Sequence, residues 1–408
     1  MPRAILHIGT AKTGTSALQR YLAENRSALR KRGFMFSTVA GKANQRRLSC
    51  YATDDGNVRD LDGFEGIYSA ADLRAFREAF CRDLAGEATA DPDATFIFSN
   101  EHCHSKLTRD SEVERLRDLF ARLFSDIRVV VYIRRQDELV VSRYSTALRS
   151  GLTHEDIIRP EDHSASFCDN WEALSRWTGA FGEDHLLVGI YSRAALRNGS
   201  IVSDFCALTG VPELPHTMEA TKPSLSGPYQ EFLRQMNLRM RGATGDERRA
   251  ERRELGRAFS TIGAGPGRLP SRAEAERLVQ SHGASNERVR ARYFPERPTL
   301  FDEDFSAYPE EAPGPSLDLD AALDISVELW RLNGEERLSL RAEVEHLRAR
   351  LALAEGKPRL AVRLFEHALR LRPGHAGALA GVGEARRARG PSALATLRAG
   401  SPGCKEAR

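Results

Sequence analysis

A run of small and hydroxylated residues, Gly9-Thr10-Ala11-Lys12-Thr13-Gly14-Thr15-Ser16, follows an apolar stretch at residues 4–8 and leads into a helical pattern. Glycines at 9 and 14 let backbone amides approach a ligand closely. A helix starting there adds unpaired N–H groups and the positive end of its dipole. Lys12 supplies a mobile charge, and Thr13, Thr15 and Ser16 supply hydroxyl donors. The chemistry is that of a phosphate cradle. The two glycines have the spacing of a GxxxxGK[ST] loop, but Thr15 stands where that motif has its lysine, and Lys12 lies two residues before Gly14. No clear acidic residue for Mg²⁺ follows the apolar run at residues 127–133, which ends in Arg134-Arg135. An ordinary ATPase or GTPase is disfavoured.

Arg134 closes that run, and a guanidinium at a strand end can clamp a phosphate with two donors. A third strand-like run, residues 95–98, leads into Asn100-Glu101-His102-Cys103-His104, which offers candidate proton acceptors. Strand alternation would place His102 and His104 on one side and Cys103 on the other. These residue types also ligate zinc, but their spacing is not that of a usual site.

The segment Ala11-Lys12-Thr13-Gly14-Thr15-Ser16 resembles the 5′-phosphosulfate loop of the sulfotransferases that use 3′-phosphoadenylyl sulfate (PAPS), whose pattern is approximately PKSGTT. Ala11 replaces the usual proline and Ser16 the second threonine. In that family the 3′-phosphate site follows a later strand, as an Arg and then a Ser eight residues on. Arg134 and Ser142 match that spacing. The resemblance implies a donor site of Gly9, Ala11, Lys12, Thr13, Gly14, Thr15, Ser16, Arg134 and Ser142, with PAPS as cosubstrate, adenosine 3′,5′-bisphosphate (PAP) as product and no metal. It implies that Lys12 stabilises charge on the departing oxygen and that Glu101 is the general base, with His102 or His104 as alternatives. It also implies a hydroxyl acceptor, a glycan, polysaccharide or glycolipid as for bacterial carbohydrate-type members. The resemblance covers residues 1–215 and extends loosely to 308 through Asn286-Glu287-Arg288 and residues 300–305. Two alternatives stand beside it: a P-loop-type small-molecule kinase using ATP–Mg²⁺, and a non-catalytic scaffold with a degenerate nucleotide domain. The intact Lys12, Arg134 and Ser142 weigh against the scaffold.

Four apolar runs (residues 4–8, 95–98, 127–133 and 186–191) must be the strands that carry these groups. The third is β-branched and apolar almost throughout, which suits a strand buried on both faces of a parallel sheet. Helical patterns lie between them, one opened by a capping box at Ser111-Glu112-Val113-Glu114. Alternating strands and helices predict an α/β fold, and the resemblance makes it a P-loop-like three-layer sandwich with a mainly parallel sheet. The core runs to about 215, with a helical and loop extension at 216–308 and a linker at 309–319. Residues 320–400 form an α-helical segment, and 401–408 a flexible tail. Within the helical segment, small residues at packing positions, Gly356 and Pro373 resemble a tetratricopeptide repeat. That segment could dock a protein partner or self-associate. Trp171, Trp177 and Arg149 lie near the region where an acceptor would bind.

The 408 residues carry 41% hydrophobic and 29% charged side chains with a net charge of +3, the profile of a globular chain that is no nucleic-acid magnet. No run approaches the ~20 apolar residues of a membrane helix, and the start is too soon interrupted by Gly9 to read as a secretory signal. A cytoplasmic location is expected, and the six cysteines are expected to be reduced thiols.

Overall fold

The computed structural model describes residues 1–61, 63–216, 224–240 and 246–388, without the side chains of residues 246–250 and 253. Thr221, Lys222 and Pro223 of the polar loop at 221–226, Cys404 and the tail at 401–408 lie outside the described residues. Two compact units divide at Ser316 and Leu317.

In the first unit five parallel strands, β1 (Arg3–His7), β2 (Phe34–Phe36), β3 (Thr95–Ser99), β4 (Ile127–Ile133) and β5 (Leu186–Ile190), form one sheet in the order β2-β3-β1-β4-β5. The register sets Leu6 opposite Phe98 on one side and Val129 on the other. The helices are α1 (Thr15–Glu24), α2 (Arg26–Arg30), α3 (Arg47–Ala52), α4 (Ala70–Ala90), α5 (His102–Lys106), α6 (Asp110–Leu123), α7 (Gln136–Arg149), α8 (Asn170–Phe181) and α9 (Ile201–Thr209). They are followed by α10 (Gly227–Arg239), α11 (Asp246–Ala258), α12 (Arg272–Ser281) and α13 (Gly283–Tyr293).

Strand alternation sends Ile5, Ile97, Val130 and Tyr132 to one face, where Leu18, Leu22, Leu29 and Phe205 of α1, α2 and α9 cover them. Leu6, Phe96, Phe98, Val129 and Val131 face the other side, against Phe80, Leu84, Leu116, Phe120 and Trp177 of α4, α6 and α8. Both faces are thus buried, which is why β4 reads as a continuous apolar run, and the result is a three-layer α/β sandwich of P-loop-like form. The order reverses between β1 and β4, so the carboxyl ends of these two strands flank the crevice where open parallel sheets bind ligands.

The fold differs from expectation in three places. Strand β2 is only three residues long at the sheet edge, too short to show alternation in sequence. Ser111 does not cap α6: its hydroxyl donates to Asp54, and the buried Glu112 carboxylate receives the amides of Thr108, Arg109 and Asp54. Trp177 is fully buried and stacked on Phe181, and Arg149 donates to the Phe259 carbonyl, so both are packing residues.

In the second unit residues 320–350 of the expected helical segment lie within a single 36-residue helix, α14 (Leu319–Ala354). It is followed by α15 (Pro358–Leu371) and α16 (Ala376–Ala388). Ala342, Ala349 and Ala352 of α14 pack on Ala361, Phe365 and Ala368 of α15, small residues allowing the close approach. Among the described residues no helix is long and apolar enough to cross a membrane.

Candidate functional site

The loop from Gly9 to Gly14 leaves the end of β1 and turns into α1. Gly9 has φ 77°, and a Cβ there would stand 2.8 Å from the Glu101 Cα, so only glycine lets the loop lie against β3's continuation. Gly14 has φ 74° and packs where a Cβ would meet the Tyr191 ring at 2.9 Å. It is the N-cap residue of α1, with no side-chain cap and no acidic residue in the first turn. The positive end of the α1 dipole is therefore left for an external anion.

Lys12 is a non-glycine residue at φ 70°, a conformation that persists only where the surroundings impose it. The Arg134 guanidinium donates to the Lys12 carbonyl at 2.9 Å, and Lys12 Nζ donates to Thr146 Oγ1 on α7 at 2.9 Å. Thr10 Oγ1 donates to the Tyr132 carbonyl at 2.8 Å and Thr13 Oγ1 to the Thr10 carbonyl at 2.7 Å. The Thr13 hydroxyl is thus committed to shaping the loop. Thr15 is buried, whereas Ser16 is exposed and Ala11 half-buried.

Arg134 lies where β4 ends. Besides Lys12 it contacts Glu138 Oε2 at 3.0 Å and sits 5.4 Å over the Tyr191 ring. Glu138, Ser142 and Thr146 succeed one another at four-residue intervals along α7, so they form one stripe. Its two ends touch Arg134 and Lys12, which brings Ser142, half-buried, between them on the same helix face. The structure therefore gathers the loop, Arg134 and the α7 stripe in one place. Ser224, at the end of the polar loop, meets Ser145 of the same helix at 2.5 Å.

Arg135 has a different task. It holds Asp137 with two bonds of 2.8 and 2.9 Å, donates to the carbonyls of Asp302 and Asp304, and lies 4.4 Å over the Phe305 ring. Tyr308 donates to the same Asp137 carboxylate at 2.7 Å. This buried knot ties residues 302–308 to the sheet domain.

Glu101 stands on the far side of Gly9. Its carboxylate accepts from Gln19 Nε2 at 2.8 Å and Asn44 Nδ2 at 3.1 Å. Asn44 in turn accepts from Asn100 Nδ2 at 2.7 Å. Sequence reasoning missed Gln19, Asn44, Glu138 and Thr146. Gln19 carried a signal, as a polar residue beside Leu18 and Leu22 on the buried face of its helix; Asn44, 57 residues from Glu101, carried none.

The two histidines do not share a side. The chain after β3 coils into α5, because the Asn100 side chain accepts the Cys103 amide at 3.1 Å and starts a helical turn. Residues two apart on a helix point roughly opposite ways. His102 lines a cleft with Arg46, Ser49, Lys106 and Glu112. Burial holds it below the ordinary imidazole range, with Glu101 pulling the other way. His104 faces Arg176 and Arg143 instead, and burial together with these cations pushes it down to about 4. Among the described residues no group of three or more His, Cys, Asp or Glu is placed to hold a metal. The five described cysteines, 50, 81, 103, 168 and 206, are free thiols.

No protein-family model matches the chain. A stretch of 121 residues is 32% identical to an uncharacterized protein of Archaeoglobus fulgidus, covering 28% of this chain and 33% of that protein. The chain thus spans about a third of the length of the curated relative it matches. Among solved structures, the crystal structure of a sulfotransferase from Alicyclobacillus acidocaldarius aligns over 62% of this chain and 95% of its own, with 17% identity and a TM-score of 0.34. At that level the likeness decides nothing about function.

Proposed function

We propose that this chain is a sulfotransferase that moves a sulfuryl group from PAPS to the hydroxyl of a glycan, polysaccharide or glycolipid. The observation that carries the reading is the Arg134–Lys12 junction, which brings a strand-end guanidinium to a phosphate-type loop whose lysine is not in the kinase position. The residues fit the donor. The uncapped α1 terminus with Gly9, Ala11, Lys12, Thr13, Gly14, Thr15 and Ser16 would hold its 5′ end, and Arg134 with Ser142 its 3′-phosphate. PAPS supplies an activated sulfuryl group.

Lys12 stabilises negative charge as it develops on the bridging oxygen that leaves. Glu101 takes the proton of the acceptor hydroxyl, held in place by the amides of Gln19 and Asn44. His102 and His104 are the alternative bases. Residues 1–308 would form the catalytic domain, 309–319 a linker, and the helices beyond it a tetratricopeptide-like module.

Thermal unfolding with PAP, ATP–Mg²⁺ or buffer tests the proposal. PAP at 100 times its dissociation constant should stabilise the protein by about 2.7 kcal/mol, and Arg134→Gln should abolish the shift. Stabilisation by ATP–Mg²⁺ and not by PAP would establish the kinase reading instead; no shift with either would favour a scaffold.

A further inference from the structure

The second unit carries an apolar stripe that its own helices leave open. On α14, Leu323, Trp330, Leu340, Val344, Leu347 and Leu351 are between 47 and 69% exposed. Leu340, Val344, Leu347 and Leu351 follow a 4-3-4 spacing, which assigns 344 and 351 to position a of a heptad and 340 and 347 to position d. Leu323 and Trp330 extend the a row toward the amino end. On this wheel Ala342 and Ala349 occupy position f, opposite the stripe, and they are the residues that pack on α15. The intramolecular partner thus covers the back of the helix, and the seam faces solvent.

We propose that α14 pairs with α14 of a second copy of this chain as a parallel, in-register two-stranded coiled coil. The flanking charges select this occupant and this orientation. In a parallel pair, position g of one helix meets position e of the next heptad on the other. Glu336 then meets Arg341, Glu343 meets Arg348, and Arg350 meets Glu355, each between the two copies, and all three pairings are of opposite sign. An antiparallel pair with Val344 against Leu347 would set Arg341 against Arg348, like charges, beside Glu343 against Arg350, so it gains less than the parallel pair, in which all three pairings are of opposite sign. Glu343 and Arg350 also touch His375 and Glu384 of the helical hairpin, but each is about half-exposed and open to a second partner. Ser326, Asn333 and Arg337 interrupt the middle of the seam, polar residues that fix register at some cost in strength. The helix is about 54 Å long at 1.5 Å per residue, enough for the seam to bury both halves.

Sedimentation of the full chain at about 50 µM tests this. The expected species is a dimer. Leu340→Lys with Leu347→Lys should give a monomer whose helical circular dichroism is unchanged. Glu336→Arg alone, and Arg341→Glu alone, should each weaken dimerisation roughly tenfold by turning two attractive pairs repulsive. A one-to-one mixture of these two variants should regain wild-type affinity, because every cross pair is again opposite in sign. A wild-type monomer, or a dimer that survives the double lysine variant, overturns the proposal. Failure of the mixture to recover overturns the parallel register.

Discussion

The geometry around Glu101 makes an exchange of side chains decisive. Gln19 and Asn44 both donate to its carboxylate. A glutamine at 101 has one oxygen and one NH₂, so one of those donors would face another donor. Rotating the Asn44 amide breaks its 2.7 Å bond from Asn100, so Gln19 is the cheaper one to turn. Turning Gln19 sets its oxygen toward the Ser99 carbonyl, to which it now donates at 3.4 Å. Glu101→Gln should therefore cost about 1–2 kcal/mol of stability, the range for one half-buried donor or acceptor left unpaired. That corresponds to a melting point lower by roughly 2–6 °C.

Loss of a general base should slow transfer by about 10²–10⁴. Gln19→Glu combined with Glu101→Gln restores the pair in mirror image, a carboxylate on α1 accepting from the amide at 101. The double variant should regain part of the melting temperature, the Ser99 carbonyl opposing full recovery, and none of the rate. Transfer of radiolabelled sulfate from PAPS to a glycan pool, measured beside thermal unfolding, separates the two effects. A single variant with wild-type turnover, or a double variant that recovers it, would show that Glu101 is a tether rather than a base.

Two further outcomes follow from buried groups. Asp137→Ala strands the Arg135 guanidinium in a site where it is 9% exposed, and should cost about 3–5 kcal/mol in denaturant unfolding; a loss below about 1 kcal/mol would refute the knot's role in holding residues 302–308. His7, fully buried against Tyr132 and Phe205 with Nδ1 on Ser99, is pushed down to about 3 by burial, so below pH 6.5 the unfolded chain binds a proton that the folded one refuses. Stability should fall by about 1.4 kcal/mol per pH unit from pH 6.5 toward 3 on this account, and His7→Gln should remove that slope; identical slopes would assign the acid sensitivity elsewhere.

Much of the sandwich was legible in the sequence because it depends on local patterns. Residues 127–133 are apolar on both faces and form β4 over that same range. The loop at 9–16 was legible because Gly9 and Gly14 mark positive φ. What escaped notice depended on contacts between distant segments. Asn44 reaches Glu101 only because residues 41–45 fold back along β3, with Gln45 taking the Ser99 amide at 2.7 Å. His102 and His104 were set on one side by strand periodicity, but the strand ends at Ser99 and the Asn100 side chain accepts the Cys103 amide, starting a helical turn there. An asparagine ahead of a polar triplet was the available sign of that cap. The spacing to Ser142 singled out Arg134 in the sequence, but that its neighbour Arg135 is buried in a knot with Asp137 was visible only in the structure.

Arg134 meets a carboxylate, and this bears on whether it can serve an anion at all. A guanidinium locked to a buried acid has no capacity for a ligand, which is the situation of Arg135 with Asp137. The Arg134–Glu138 pair differs in kind. Its side chains are 20% and 32% exposed, and such partly solvated pairs contribute about 1 kcal/mol or less. On the proposed reading the donor's 3′-phosphate, carrying close to two charges, would compete on favourable terms for the same donors. On that proposal Glu138 would serve as a counter-charge that keeps the guanidinium pointed into the crevice before an anion binds, while the Lys12 carbonyl fixes its other edge. The strained Lys12 backbone, the Arg134 fork and the uncapped helix are three parts of one arrangement, each held in place by the others before any ligand binds.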